Sequence, residues 1–221
     1  MGELIGRGNT AEVFDLGDGK VCKLFFKGYP NEYVKLEFNN AAEMRKKQVK
    51  VPVAFRITRE TDRIGIVYEK IYGRSLSDII YNGEQPLEYS LSKIVNFQLS
   101  IVKKRSLNVP SYKDYLSAIL KNGKMSDSRI FELIDNLPVG DHLLHGDLHP
   151  GNILITPDGQ PVAIDFMNVC HGPVLYDIAR TYFIMRQRNA FLASEYLKKI
   201  GVSRNSLENY IKIIELCRKF E

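Results

Sequence analysis

The sequence predicts an α+β protein of two lobes, a small β-rich N-lobe with one helix and a larger, mostly helical C-lobe. Two observations predict it. Hydrophobic periodicity is strand-like before Tyr72-Gly73-Arg74 and helical after it. A short island of apolar β-type residues, carrying a loop rich in His, Asp and Asn, then interrupts the helical half. At 221 residues the chain can bury about 70% of its unfolded surface. Its 44% hydrophobic and 26% charged content excludes disorder, collagen and an all-coiled-coil chain.

Each element follows from local pattern. Glu3 to Arg7 and Ala11 to Leu16 read as strands around the Gly6-Arg7-Gly8-Asn9 turn. Val21 to Phe26 is a third strand, rich in apolar and aromatic residues. Pro30 and Asn31 open a helix whose Val34, Phe38, Ala41 and Met44 recur at helical spacing. Arg45, Lys46 and Lys47 sit in its last turn, where cations suit the helix dipole. Val53 to Thr58 and Ile64 to Glu69 form a hairpin. The N-lobe is therefore 1–72 and the C-lobe 73–221. In the latter, Ser75 with Asp78 resembles a capping box. Leu87 to Leu107, Ser111 to Lys121 and Ser126 to Asn136 read as helices. Ile153 to Ile155 and Val162 to Ile164 form a small β element. Pro173 to Gln187, Ala190 to Ile200 and Ser203 to Phe220 are the late helices.

The net charge of +5 is unevenly spread. From Ile178 onward nine basic residues face four acidic ones, so this last quarter holds the whole excess. Such a run is either a solvated helical face or a surface for an anionic substrate or partner. Cys22, Cys170 and Cys217 are odd in number and widely spaced, which implies free thiols in a reducing, cytoplasmic compartment. The chain opens without a basic-then-apolar leader or a myristoylation pattern, and no apolar run is long enough for a membrane span. Neither nucleic acid nor membrane is expected as a partner. The sequence leaves the oligomeric state open.

Three features carry chemistry. Gly6 and Gly8 lie between two strands, where the missing Cβ lets backbone N–H groups approach phosphates; a simple glycine-bearing hairpin turn is the alternative. Lys23 lies mid-strand among Val21, Cys22, Leu24, Phe25 and Phe26, so it either faces solvent or is paired. As a point charge on phosphate oxygens it needs a carboxylate to hold it, and Glu37 or Glu43 on the next helix can serve. The strongest signal is Leu144-His145-Gly146-Asp147-Leu148-His149-Pro150-Gly151-Asn152, followed by Ile164-Asp165-Phe166. Phosphoryl transfer from a nucleotide needs one carboxylate to orient the attacking hydroxyl and take its proton. It also needs an amide and a second carboxylate as hard oxygen ligands for Mg²⁺. Asp147, Asn152 and Asp165 supply that set. Gly146, Pro150 and Gly151 break any helix that would bring His145 and His149 together as metal ligands, so both histidines read as loop-structuring residues.

Over about residues 1–180 the chain resembles the aminoglycoside phosphotransferase and choline kinase-like family, small-molecule kinases with the bilobal protein-kinase-like fold. The resemblance implies Asp147 as catalytic base, Asn152 and Asp165 as Mg²⁺ ligands and Lys23 as the phosphate-binding lysine with Glu37 as its better match. It implies a hinge at Tyr68-Glu69-Lys70-Ile71, where backbone groups of Glu69 and Ile71 meet the purine of ATP or GTP. It also implies that Asp177 braces the catalytic loop. Met167 stands where a glycine would make a mobile metal-binding turn, and Gly146 stands where protein kinases carry an arginine. Only residues 166–176 separate Asp165 from Asp177, too few to dock a peptide, so the acceptor is a small alcohol. The basic late helices argue against a polycationic aminoglycoside. Tyr176, Tyr182, Phe183, Phe191, Tyr196 and Tyr210 are the material for a choline-type aromatic cage or for core. A sugar or amino alcohol is the preferred acceptor. A non-catalytic nucleotide-binding module and an atypical protein kinase are the competing functions.

Overall fold

In the computed structural model, which describes residues 2–220, the chain divides into two compact units. Met1, which opens the expected leaderless N-terminus, and Glu221, the last residue of the basic quarter, lie outside the described residues. The first unit spans 1–75 together with 153–167; the second spans 76–152 and 168–221. The β element at 153–167, expected in the C-terminal lobe, therefore belongs with the N-terminal unit. Its reason is hydrogen bonding: the Ala163 N–H donates to Lys50 O at 3.0 Å, and Asn40 Nδ2 donates to Phe166 O at 2.9 Å.

The N-terminal unit is built on an antiparallel five-stranded sheet. Its strands are β1 (Glu3–Arg7), β2 (Ala11–Gly17), β3 (Lys20–Phe25), β4 (Ala54–Glu60) and β5 (Arg63–Glu69), in the order β1-β2-β3-β5-β4. Helix α1 (Asn31–Lys46) packs on it. Its inward stripe of Val34, Ala41 and Met44 meets Leu24, Phe25 and Ile66 in a core that is solvent-free. Where β3 ends, its carbonyls lose their ladder partners. Arg63 takes them over, donating to Phe25 O and Leu24 O at 2.8 and 2.9 Å while pairing with Glu12 at 2.9 Å. A second small sheet joins β6 (Arg74–Ser75), β8 (Ile153–Ile155) and β9 (Pro161–Ala163).

The second unit is helical. It contains α2 (Leu76–Tyr81), α3 (Leu87–Val102), α4 (Tyr112–Asn122), α5 (Ser128–Asp135), α6 (Val174–Arg188), α7 (Ala190–Ile200) and α8 (Glu208–Cys217). Two short strands, β7 (His142–Leu144) and β10 (Cys170–Gly172), pair antiparallel and were not expected from sequence. At three residues each they are too short to show alternation. They also explain why α3 stops at Val102 instead of Leu107: Lys104 O accepts from the Leu143 N–H and the Ser106 N–H donates to Asp141 O. The predicted helix from Ser203 begins instead as a 3-10 turn, Arg204–Leu207, capped by the Ser203 hydroxyl.

The late aromatics are core. Tyr112, Tyr176 and Tyr210 form one ring cluster with centroids 4.7 to 6.4 Å apart, and Tyr182, Phe183 and Tyr196 are buried. Only Phe191 of the six cage candidates is exposed, so they form no cation-binding cage. All three cysteines are free and buried. Among the described residues no helix is long and apolar enough to cross a membrane.

Leu116 of α4 is fully buried in this unit. Leu116→Ala should cost about 2–5 kcal/mol, read as a lower denaturant midpoint at unchanged slope.

Candidate active site

In the N-terminal unit the site is organised by one buried lysine. The register of β3 directs Lys23 inward, opposite Ile66 of β5. Its Nζ donates to both Glu37 oxygens at 2.8 and 2.9 Å and to Asp165 Oδ1 at 3.0 Å. Lys23 is thus paired, not solvent-facing, and its partner is Glu37; Glu43 instead lies 3.8 Å from Lys47. The Tyr68 hydroxyl donates to Glu37 Oε1 at 3.1 Å and fixes the carboxylate from its other side. Burial alone would lower the Lys23 pKa, but Glu37 and Asp165 outweigh it and hold it above its ordinary value. Burial pushes the Glu37 carboxyl up against the pull of Lys23.

Asp165 itself has a left-handed backbone, φ +68°. Aspartate tolerates this region better than most residues, yet the conformation persists only where surroundings enforce it. Buried Asn40 of α1, holding Phe166 O, is part of that enforcement. Glu69 closes β5. Its N–H donates to Val53 O and its carboxylate accepts from the Val53 N–H, so its side chain is committed to the fold. Ile71 follows it, half-buried. Gly6 pairs with Val13 just after a bulge in β1, and the Gly8 N–H donates to Ala11 O at 2.9 Å. A Cβ at Gly6 or Gly8 would meet nothing closer than 3.6 Å, and neither has a positive φ. Turn geometry therefore does not require glycine at these positions.

In the helical unit the loop after β7 carries Asp147. Asn152 Nδ2 donates to Asp147 O at 3.0 Å and to Asp147 Oδ2 at 3.1 Å, so these bonds occupy the amide nitrogen and not the amide oxygen. Asp177 of α6 is fully buried and accepts from the Gly146 N–H at 2.7 Å and from Gln98 Nε2 at 2.8 Å. Burial raises the Asp177 pKa, and these two hydrogen bonds oppose it. Gly146 has φ +73°, and a Cβ there would lie 2.0 Å from Asn168 O. No arginine fits where protein kinases carry one.

The cation comes instead from α6. Arg180, fully buried, donates through Nε to Gly146 O at 2.9 Å and through Nη2 to Asp147 Oδ1 at 3.3 Å. Thr181 Oγ1 donates to Leu148 O at 2.7 Å. Sequence reasoning missed Arg180, Gln98 and Asn40, and it named Tyr68 for the hinge but not as a partner of Glu37. Arg180 had a visible signal: it lies three residues after Asp177, on the same helical face, in an otherwise apolar run. His149 acts as a loop-structuring residue. Its Nδ1 accepts from the Gly151 N–H at 3.1 Å, and a Cβ at Gly151 would lie 2.8 Å from the ring.

Among the described residues no three His, Cys, Asp or Glu side chains form a metal cluster. An amide oxygen such as that of Asn152 and a carboxylate such as that of Asp165 are each hard oxygen ligands of the kind Mg²⁺ takes.

Residues 114–208 match the phosphotransferase enzyme family, a stretch that contains Asp147, Asn152, Asp165, Asp177 and Arg180. The fold is that of the aminoglycoside phosphotransferases. A type VIII aminoglycoside-3'-phosphotransferase aligns over 96% of this chain and 91% of its own, at 17% identity and TM-score 0.71. Aminoglycoside phosphotransferase APH(4)-Ia, in a ternary complex with ADP and hygromycin B, aligns over 99% and 86%, at 15% identity and TM-score 0.66. APH(3'')-Id from Streptomyces rimosus, in complex with ADP and streptomycin, aligns over 93% and 90%, at 13% identity and TM-score 0.65. No curated protein matches by sequence.

Gly146→Ala should lower stability by about 2–4 kcal/mol in denaturant titration, since it combines backbone strain with a clash against a carbonyl. A pH effect follows from Tyr29, whose ring stacks on Phe25 at 4.8 Å. Burial, then the nearby Glu37 carboxylate, push its phenol up to about 12. Its stabilising share is complete below the unfolded value of about 10 and is lost as pH rises through the folded value. Tyr29→Phe should remove one component that ionises at about pH 12 from the phenolate absorbance titration.

Proposed function

We propose that the protein is a small-molecule kinase that moves the γ-phosphoryl group of ATP to a hydroxyl of a small acceptor. The observation that carries this reading is the lysine of β3 held by Glu37 and by Asp165, 142 positions away in the chain. Keeping a lysine in a strand core costs desolvation, and the fold offsets that cost with two carboxylates. An ammonium so fixed is suited to phosphate oxygens.

Roles follow from chemistry. Lys23 binds and orients the phosphates. Backbone N–H groups between Gly6 and Ala11 approach them where no Cβ intervenes. Backbone groups of Glu69 and Ile71 meet the purine edge. Asn152 and Asp165 would hold Mg²⁺ as oxygen ligands, and the ion would supply positive charge on the phosphates. Asp147 accepts the acceptor's hydroxyl proton as the acceptor oxygen bonds to phosphorus. The bond from phosphorus to the β,γ-bridging oxygen breaks, and ADP leaves. Arg180 and Asn152 hold the Asp147 carboxylate in one orientation. Its side chain keeps a fifth of its surface exposed, so it remains accessible to an incoming hydroxyl. The three reduced, buried cysteines support a cytoplasmic setting.

Asp147→Asn should lower turnover by about 10²–10⁴-fold while ATP still protects the protein in a thermal-shift assay. Near-normal turnover would remove Asp147 from the base role. Gly8→Ala should leave thermal stability within about 0.5 kcal/mol, since the added methyl makes only an ordinary contact with Ala11 O at 3.8 Å, yet raise the apparent KM for ATP. An unchanged KM would return Gly8 to a simple turn residue.

A further inference from the structure

The helical unit contains a cleft against the catalytic loop. Helix α2 contributes Ile80 and Tyr81, the loop contributes His149, α6 contributes Met185 and Arg188, and α7 contributes Leu192. It holds about 290 Å³ of space, part of it open solvent. At its floor the His149 ring reaches towards the proposed base, with Nε2 3.9 Å from Asp147 Oδ2. The remaining walls are mainly aliphatic, and no Asp or Glu lines the cleft.

Three late-helix lysines meet carboxylates: Lys198 pairs with Glu195, Lys199 with Glu88 of α3 and Lys212 with Glu208. Those lysines are the solvated face that the sequence allows. Arg188 enters no ion pair among the described residues, and it faces the cleft. Favourable interaction with the C-terminal dipole of α6 accounts for Arg186 and Arg188 alike, but only Arg188 lines this space. A guanidinium is shaped to receive a carboxylate through two parallel hydrogen bonds.

We propose that this cleft binds the phosphoryl acceptor and selects a hydroxy acid. Its aliphatic body lies on Ile80, Met185 and Leu192, its carboxylate meets Arg188, and its hydroxyl is presented on the His149 side, towards Asp147. The inference rests on the phosphotransferase reading. The alcohol oxygen takes the γ-phosphoryl group, its proton passes to Asp147, and ADP departs. An acidic acceptor site for polycationic sugars is the opposite arrangement, and this cleft has no carboxylate to make one.

The test is a matched trio of acceptors with one chain length and one hydroxyl: 6-hydroxyhexanoate, 1,6-hexanediol and 6-amino-1-hexanol. ADP release is followed for each. The expected order of kcat/KM is acid, then diol, then amine, with the acid at least about fivefold above the diol. Arg188→Ala should bring the acid-to-diol ratio to about one, and Arg188→Glu should favour the amine. An amine preference, or equal values across the trio, overturns the proposal while Asp147-dependent ADP release leaves the kinase reading standing. Saturation-transfer NMR of 6-hydroxyhexanoate on the protein is the second measurement. Absence of both turnover and an Arg188-dependent signal overturns the cleft assignment. A signal lost in Arg188→Ala but unaccompanied by any ADP release, with any alcohol, overturns the acceptor role together with the reading beneath it.

Discussion

A carboxylate without solvent organises the catalytic loop. Asp177 is wholly buried, and a buried charge persists only if each oxygen has a donor. One donor is the N–H of Gly146, the other the amide of Gln98 on α3. Meeting the first requires residue 146 to take a left-handed backbone, which excludes a side chain there. That in turn turns Gly146 O towards Arg180, one helical turn beyond Asp177, and Arg180 reaches Asp147. Breaking such a buried pair by removing one partner costs about 3–5 kcal/mol, so loop conformation and α6 packing are one cooperative unit.

The N-terminal unit applies the same physics to a cation. Lys23 is kept in a low-dielectric strand core by two carboxylates, and Tyr68 and Asn40 fix the groups around it. Both half-sites thus use buried charge with nearly complete hydrogen bonding. Such an arrangement is a poor source of stability but a strong source of orientation. Orientation is what phosphoryl transfer asks of a protein, because the reaction involves little covalent chemistry on side chains.

Lys198, Lys199 and Lys212 of the basic last quarter pair with carboxylates along exposed helix faces, where pairs contribute little. Arg188 lines a cleft beside the catalytic loop. The aromatics of the same helices went to the core, where Tyr112, Tyr176 and Tyr210 join α4, α6 and α8. The proposed acceptor cleft is therefore lined by aliphatic surface and one guanidinium.

The sequence by itself determined the strands of the N-terminal sheet and the bounds of α1 and α7, and it put Asp147, Asn152 and Asp165 forward as the candidate site. These rest on local periodicity, caps and a motif whose spacing is chemical. Tertiary structure alone decided which glutamate holds Lys23, since Glu37 and Glu43 are both near helical repeats and only packing of α1 on β5 selects one. It also decided β7 and β10, whose three-residue strands exist only as each other's partners. And it assigned residues 153–167 to the N-terminal unit, because long-range backbone donors have no signature in local pattern. Arg180 falls between the two cases: its helical spacing from Asp177 was visible, but its burial, which gives that spacing meaning, was not.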